Sequence, residues 1–208
     1  MDAPEEKSRP VPKQMRLPPI ILASASPRRS DLLRKMEVEF RVVASDADEI
    51  HNEQLTAREI CQVNAYRKAR VVAKRFPDML VIGADTLVYL DVQLFGKPRD
   101  VSEAERMLAG LSGKTHQVVT GVCLIHLRAH RQRVFSDTTD VTFRLLTAEQ
   151  IRDYLAKIQP LDKAGAYAIQ DHGDLIVDHI DGSLDNVIGL PVERLRVELA
   201  QFQSDATR

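Results

Sequence analysis

The sequence predicts an α/β fold on a mixed sheet, and three observations lead there. Strand-like and helix-like patterns interleave along the chain, as they do where helices cover a sheet. The stretch Leu80–Val88 (Leu-Val-Ile-Gly-Ala-Asp-Thr-Leu-Val) is apolar at odd and even positions alike, the mark of a strand covered on both faces. Late in the chain, the strand-like runs Val118–Ile125 and Val134–Arg144 flank the polar segment Arg128–Arg133. That pattern reads as a hairpin, which a purely parallel sheet does not contain.

The first element is a short apolar strand at Ile20-Ile21-Leu22, followed by the small residues Ala23-Ser24-Ala25-Ser26. Ser26 is a good N-cap and Pro27 suits the first helical position, so a helix should run from Pro27 to about Met36. Arg28 and Arg29 then fall in its first turn, where the helix end already carries partial positive charge. Two readings are open: both arginines lie in water, or they face an anion such as phosphate, with the Ser24 and Ser26 hydroxyls beside it.

Glu39–Ala44 alternates like a strand and empties into the acidic patch Asp46, Asp48, Glu49. Thr56-Ala57-Arg58-Glu59 is a capping box that opens a helix to about Arg75. Ile60, Val63, Val71 and Val72 are its expected buried positions, with Arg67, Lys68 and Arg70 basic along it. After the loop Gly96–Asp100, either Asp100 or Ser102 caps a helix that Ser112-Gly113 stops near Leu111. Thr147–Gln150 is a second capping box, for a helix to about Lys157. A loop with a strand-like piece is expected over Asp162–Gln170, then a tight turn, a strand at Leu175–Ile180, a turn at Asp181-Gly182, and a last helix from about Val192 to Phe202.

Composition narrows the function. The chain has 208 residues, 44% hydrophobic and 28% charged, an ordinary globular balance. Lys plus Arg is 29 against 30 for Asp plus Glu, so no global field points to nucleic acid or an anionic membrane. Cys61 and Cys123 lack metal-binding spacing and suit a reducing compartment, hence a cytoplasmic protein. No apolar run reaches the roughly 18 residues of a membrane helix. Residues 1–18, rich in proline and charge and without the apolar core of a signal peptide, read as a flexible leader to one domain over 19–208.

Asp85 is the strongest single candidate for chemistry. A carboxylate inside a buried strand is costly unless paired or bound to a cation. It either ends the strand and caps something local, or serves as a ligand for a hard divalent metal or as general base toward water. Asp46 and Asp48 read as a solvated turn, whereas the patch as a whole could complete a magnesium site. Lys68, Lys97 and Lys163 read most simply as solvated lysines, and His116 as structural. The P-loop, G-x-G-x-x-G, G-x-S-x-G and H-E-x-x-H signatures are all missing, so phosphate binding would rest on the serine–arginine loop.

Six segments, taken together, resemble the Maf family: Ser24-Ala25-Ser26-Pro27-Arg28-Arg29, Gly83-Ala84-Asp85-Thr86, Lys97-Pro98-Arg99-Asp100, Leu111-Ser112-Gly113-Lys114-Thr115-His116, Asp162-Lys163-Ala164-Gly165 and Gly189-Leu190-Pro191. The match runs in order from about Ile20 to Leu199, and departs mainly at Ala25, where members commonly have glycine. The resemblance implies a nucleoside triphosphate pyrophosphatase that forms a monophosphate and pyrophosphate with a divalent metal, Mg²⁺ or Mn²⁺. It implies an elongated mixed sheet flanked by helices in two lobes with a central cleft, as in the inosine triphosphatases, often as a homodimer. Ser24, Arg28, Arg29, Lys68 and Lys97 would hold phosphate, Glu49 and Asp85 the metal, and Asp85 would accept a proton from water. Subgroups of the family differ at positions matching Arg28, Thr86 and Gln170. Ala166–Gln170 looks like the dTTP/UTP-directed subgroup, with modified pyrimidine nucleotides as further substrates, rather than the 7-methyl-GTP-directed one. An amide at Gln170 offers donor and acceptor together, suited to the O4/N3 edge of uracil or thymine. The competing readings are a non-enzymatic nucleotide-binding regulator of cell division, which would not need Asp85, and a nucleotidyltransferase.

Overall fold

The computed structural model describes residues 18–52 and 54–204; the leader expected over residues 1–18 lies, except for Pro18, outside the described residues. Strands β1 (Ile20–Leu22), β2 (Phe40–Val42) and β3 (Leu80–Leu90) pair in parallel in the order β2-β1-β3. Beyond β3 the sheet turns antiparallel through β5 (Thr115–His126), β6 (Arg131–Phe143) and β7 (Val177–Asp181). The sheet is therefore mixed, as the hairpin signal predicts.

The short strand β4 (Gln93–Phe95), which the sequence reading missed, creates the feature on which the site depends. One edge of β3 is occupied by β5 along Leu80–Tyr89. On the other edge, Leu80–Ile82 pair with β1 and Val88–Leu90 pair with β4. Among the described residues no strand pairs with Gly83 to Leu87 on that side, and the sheet forks around them. The opening lies at the carboxyl end of β1, where ligands sit in open α/β sheets.

Among the described residues six α-helices cover the faces: α1 (Pro27–Arg34), α2 (Ala57–Arg75), α3 (Val101–Leu111), α4 (Ala148–Leu155), α5 (Leu184–Ile188) and α6 (Val192–Ser204). The caps follow the sequence: Ser26 with Pro27 for α1, capping boxes at Thr56 and Thr147, and, of the two candidates for α3, Asp100 rather than Ser102. On one face, Leu22, Leu80, Ile82 and Leu124 pack with Leu32 and Leu33 of α1 and Leu195 and Leu199 of α6. On the same face but past the fork, Val88, Val118 and Phe143 pack with Leu108 and Leu111 of α3 and Tyr154 of α4. These two cores are the lobes, and the polar residues Thr86, Thr120 and Asn186 lie between them.

The opposite face belongs to α2, and its packing corrects the expected buried stripe. Ile60 and Val72 are buried, but Val63 is 37% exposed, and much of the contact is made by Cys61, Asn64, Ala65 and Ala69. The reason is close approach. A Cβ on Gly83 would stand 2.4 Å from the Ala65 carbonyl oxygen, and one on Gly121 would stand 2.4 Å from the Cys61 carbonyl carbon. Only small residues let a helix backbone lie this near a sheet.

The strand-like piece expected within Asp162–Gln170 is instead a pair of 3₁₀ turns, Pro160–Asp162 and Ala164–Ala166. Gly165 (φ 70°) and Ala166 (φ 61°) are left-handed, and the Gly165 amide donates to the Gly96 carbonyl, so the segment curls against the β3–β4 hairpin. The short helix α5 is likewise absent from the sequence reading.

His116 is structural, as expected. It is 1% exposed, its ring meets Phe143 at 4.7 Å, and its Nε2 lies 2.8 Å from the Tyr167 hydroxyl. Burial lowers its pKa from the ordinary 6.5 to about 4.

Two stability measurements follow from this packing. Gly121→Val should lower the unfolding free energy by about 1–3 kcal/mol or more in urea titration, because its side chain meets helix backbone. Gly96→Ala, where a Cβ meets nothing within 4 Å, should change it little. Acid should also weaken the fold through His116. Between pH 6.5 and about 4 the unfolded ring takes a proton that the folded ring refuses, so stability falls as pH drops and levels off below 4. The loss is on the order of 3 kcal/mol, and the same titration on His116→Gln should be flatter across that window.

Candidate active site

Residues Ala23–Ser26 carry the chain from the end of β1 into α1 at the fork. The Ser24 side chain accepts hydrogen bonds from the Ser26 amide (3.2 Å) and from Arg29 Nη1 (3.3 Å). Arg29 also donates through Nε to the Gly189 carbonyl (2.8 Å) and through Nη2 to Thr86 Oγ1 (2.9 Å). Three of the five guanidinium N–H groups are thus committed to the protein, and two remain for a ligand. Burial pulls the Arg29 pKa down and the charge of Asp85 opposes it. The sequence left this pair between water and an anion. The fold turns Arg29 into the cleft on fixed partners, while Arg28 reaches across to Asp162 Oδ2 at 3.1 Å.

Asp85 is 5% exposed and points toward α2. Lys68 Nζ donates to Asp85 Oδ1 at 2.7 Å and to Glu49 Oε1 at 2.5 Å, so one ammonium bridges two carboxylates. The other oxygen, Asp85 Oδ2, accepts from Asn64 Nδ2 at 3.0 Å. Asn64 also accepts from the Ile50 amide at 2.8 Å and donates to its carbonyl at 3.2 Å, which anchors the segment carrying Glu49. Burial would raise the Glu49 pKa, but the hydrogen bond and charge of Lys68 outweigh it and hold it below the ordinary carboxylate range. Asp46 and Asp48 are exposed, as expected for a solvated turn.

The far wall comes from the second lobe. Lys97 is exposed at the rim and makes no hydrogen bond among the described residues. Lys163 is not the solvated lysine expected from sequence. It is 6% exposed, with Nζ on the Gln159 carbonyl (2.6 Å) and on Asp162 Oδ1 (2.7 Å). The 3₁₀ turns fold its stem inward, and the pair it makes presents Asp162 to Arg28. The Tyr167–Gln170 segment is tied down by Tyr154, whose hydroxyl accepts from the Ala168 amide (3.0 Å) and donates to its carbonyl (3.1 Å). Gln170 itself is exposed at the cleft.

These walls enclose one cavity of about 970 Å³, lined by Arg28, Arg29, Glu49, Lys68, Asp85, Thr86, Lys97 and Gln170, with Ser24 in an adjoining recess of about 370 Å³. Of the residues to which the resemblance gives a role, all but Ser24 therefore border the main space, which is large enough for a nucleotide. The sequence reading missed Asn64, Thr120 and Asp162. Asn64 carried a signal: it is a polar residue on the buried stripe of α2, four positions before Lys68. Asp162 opens one of the six segments that carry the resemblance but has no role assigned to it there, and Thr120 carried no signal that spacing could reveal.

Among the described residues no three His, Cys, Asp or Glu side chains converge as a metal cage. The donor set still suits a hard cation that takes one or two carboxylates and completes its shell with phosphates and water, as Mg²⁺ does. The Lys68 ammonium, held between Glu49 and Asp85, shows that this pair accommodates positive charge.

A family model described as Maf-like protein matches residues 19–202. The dTTP/UTP pyrophosphatase of Bacillus cytotoxicus is 46% identical over 187 residues, which cover 90% of this chain and 97% of that protein. Those of Bacillus mycoides and Akkermansia muciniphila are each 45% identical, covering 90% and 85% of this chain and 97% and 92% of theirs. With the likeness spanning almost the whole described fold, the chain belongs to the Maf family.

Proposed function

We propose that the protein is a nucleoside triphosphate pyrophosphatase that hydrolyses dTTP and UTP to the monophosphate and pyrophosphate. The observation that carries this reading is the Glu49–Lys68–Asp85 cluster facing Arg28 and Arg29 across the sheet fork. The relatives' names supply the substrate class. The triphosphate lies along the start of α1, taking the two free Arg29 N–H groups, Arg28 as it leaves Asp162, and Lys97 from the opposite rim. Asp85, with one oxygen held by Asn64 and the other by Lys68, faces the α-phosphate and removes a proton from the attacking water. The new P–O bond forms as the α–β bridge breaks, pyrophosphate leaves with the bonding pair, and the cationic side chains stabilise its charge.

Glu49 and Asp85 would hold a divalent metal, Mg²⁺ or Mn²⁺; when bound, it supplies charge neutralisation and a more acidic water. Lys68 then serves phosphate, since its third N–H group is free for it. The cytoplasm suits the two free, buried cysteines.

Incubation with Mg²⁺ and a nucleotide panel should release UMP or dTMP with pyrophosphate; UDP with orthophosphate would exclude the reading. Asp85→Asn should lower kcat by about 10²–10⁴-fold while the nucleotide still binds in calorimetry. Turnover within a few-fold of wild type would remove Asp85 as the base.

A further inference from the structure

Between the two lobes a line of hydroxyls runs from the cleft into the fold. Thr86 Oγ1 lies 3.0 Å from Thr120 Oγ1, and Thr120 Oγ1 lies 3.0 Å from the backbone carbonyl oxygen of Asn186. Thr120 and Asn186 are both fully buried. Each hydroxyl has one proton and two lone pairs, and a carbonyl can only accept. The Thr120 proton therefore goes to Asn186, since a buried carbonyl left unmet is costly. With that proton spent, the contact between the threonines requires Thr86 to donate and Thr120 to accept. Thr86 also receives Arg29 Nη2 on one lone pair. What remains to Thr86, at the wall of the cavity, is one lone pair and no proton.

We propose that Thr120 is a positioning residue for substrate choice: it fixes the Thr86 hydroxyl as an acceptor only, so the cleft selects a base that offers a ring N–H. This rests on the pyrophosphatase reading above and deepens it. Ionised phosphates carry no donor, so an acceptor-only hydroxyl has nothing to gain from them. The 2′-hydroxyl does not fit either, because dTTP, in the name of the relatives, lacks it. Uracil and thymine share the N3–H donor. Cytosine presents a bare N3 there, and two acceptors would face each other across the contact.

Two measurements test the proposal. By proton NMR of the unliganded protein, the Thr86 hydroxyl proton should exchange slowly and lie between the two threonines, with the Thr120 proton directed at Asn186. A Thr120 proton lying between the threonines would overturn the proposal, and this result does not depend on turnover. In kinetics, Thr120→Val removes the acceptor and frees the Thr86 proton to face the cleft. The ratio of kcat/KM for UTP over CTP should then fall about tenfold, mainly through KM for UTP, while Thr120→Ser keeps the ratio of the wild type. An unchanged ratio in folded Thr120→Val protein would overturn it. So would a loss that appears equally with UTP and CTP but vanishes with 3′-deoxy-UTP, which would place the acceptor on the sugar. If the wild-type protein releases no pyrophosphate from UTP, the pyrophosphatase reading fails, whereas the NMR outcome still decides the direction of the proton.

Discussion

The burial of Asp85 is the constraint on which the rest depends. Removing a carboxylate from water costs several kcal/mol, and only close cationic and hydrogen-bonding partners offset it. Here both come from α2, through Lys68 and Asn64. These side chains reach β3 only because the helix backbone nearly touches the sheet, and it does so over Gly83 and over Gly121, the residue paired with Asp85 on β5. The glycines, the small residues of α2 and the carboxylate form one requirement. Relaxing the packing would leave Asp85 without its partners.

The sheet fork turns this buried group into an accessible one. If β4 paired farther back along β3, or β1 ran farther forward, a strand would close over Gly83–Leu87. Instead the open edge exposes both faces of β3 at once. Asp85 is reached on the α2 side and Thr86 on the other, because successive side chains of a strand alternate. Two different kinds of contact, one suited to phosphate chemistry and one to selection, are thus presented one residue apart to the same cavity.

Much of this was legible in the sequence, for identifiable reasons. The mixed sheet followed from the two-sided apolarity of Leu80–Val88 and from the hairpin, and the helix starts followed from Ser26, Thr56, Asp100 and Thr147, whose capping signals are local. Asp85 stood out as a charge where charge is costly. Other features depend on contacts between distant segments and leave no local trace. Three-residue β4 exists because it pairs with Val88–Leu90, Lys163 is buried because Gly165 turns the chain inward, and Val63 is displaced because α2 lies against glycines. Asn64 falls between these cases: its position on the buried stripe was visible, but its bond to Asp85 required the register of α2 on β3.

Arg29 and Thr86 share one support, and this bears on how the cleft treats a nucleotide. The Gly189 carbonyl holds Arg29 Nε, the Asn186 carbonyl accepts from Thr120, whose hydroxyl lies against that of Thr86, and Arg29 joins the two by its own bond to Thr86. Both carbonyls belong to the short stretch from α5 to its C-cap, which is itself pinned by Asn186 Nδ2 on the Val118 carbonyl and on Thr139 Oγ1. The group proposed to hold phosphate and the group proposed to read a base are therefore registered against the same four residues of backbone. A ligand that satisfies one sits in a fixed frame relative to the other, and a shift of α5 would disturb both together. In a cavity of about 970 Å³, far roomier than a pyrimidine ring, that shared frame would supply a discrimination that enclosure alone does not.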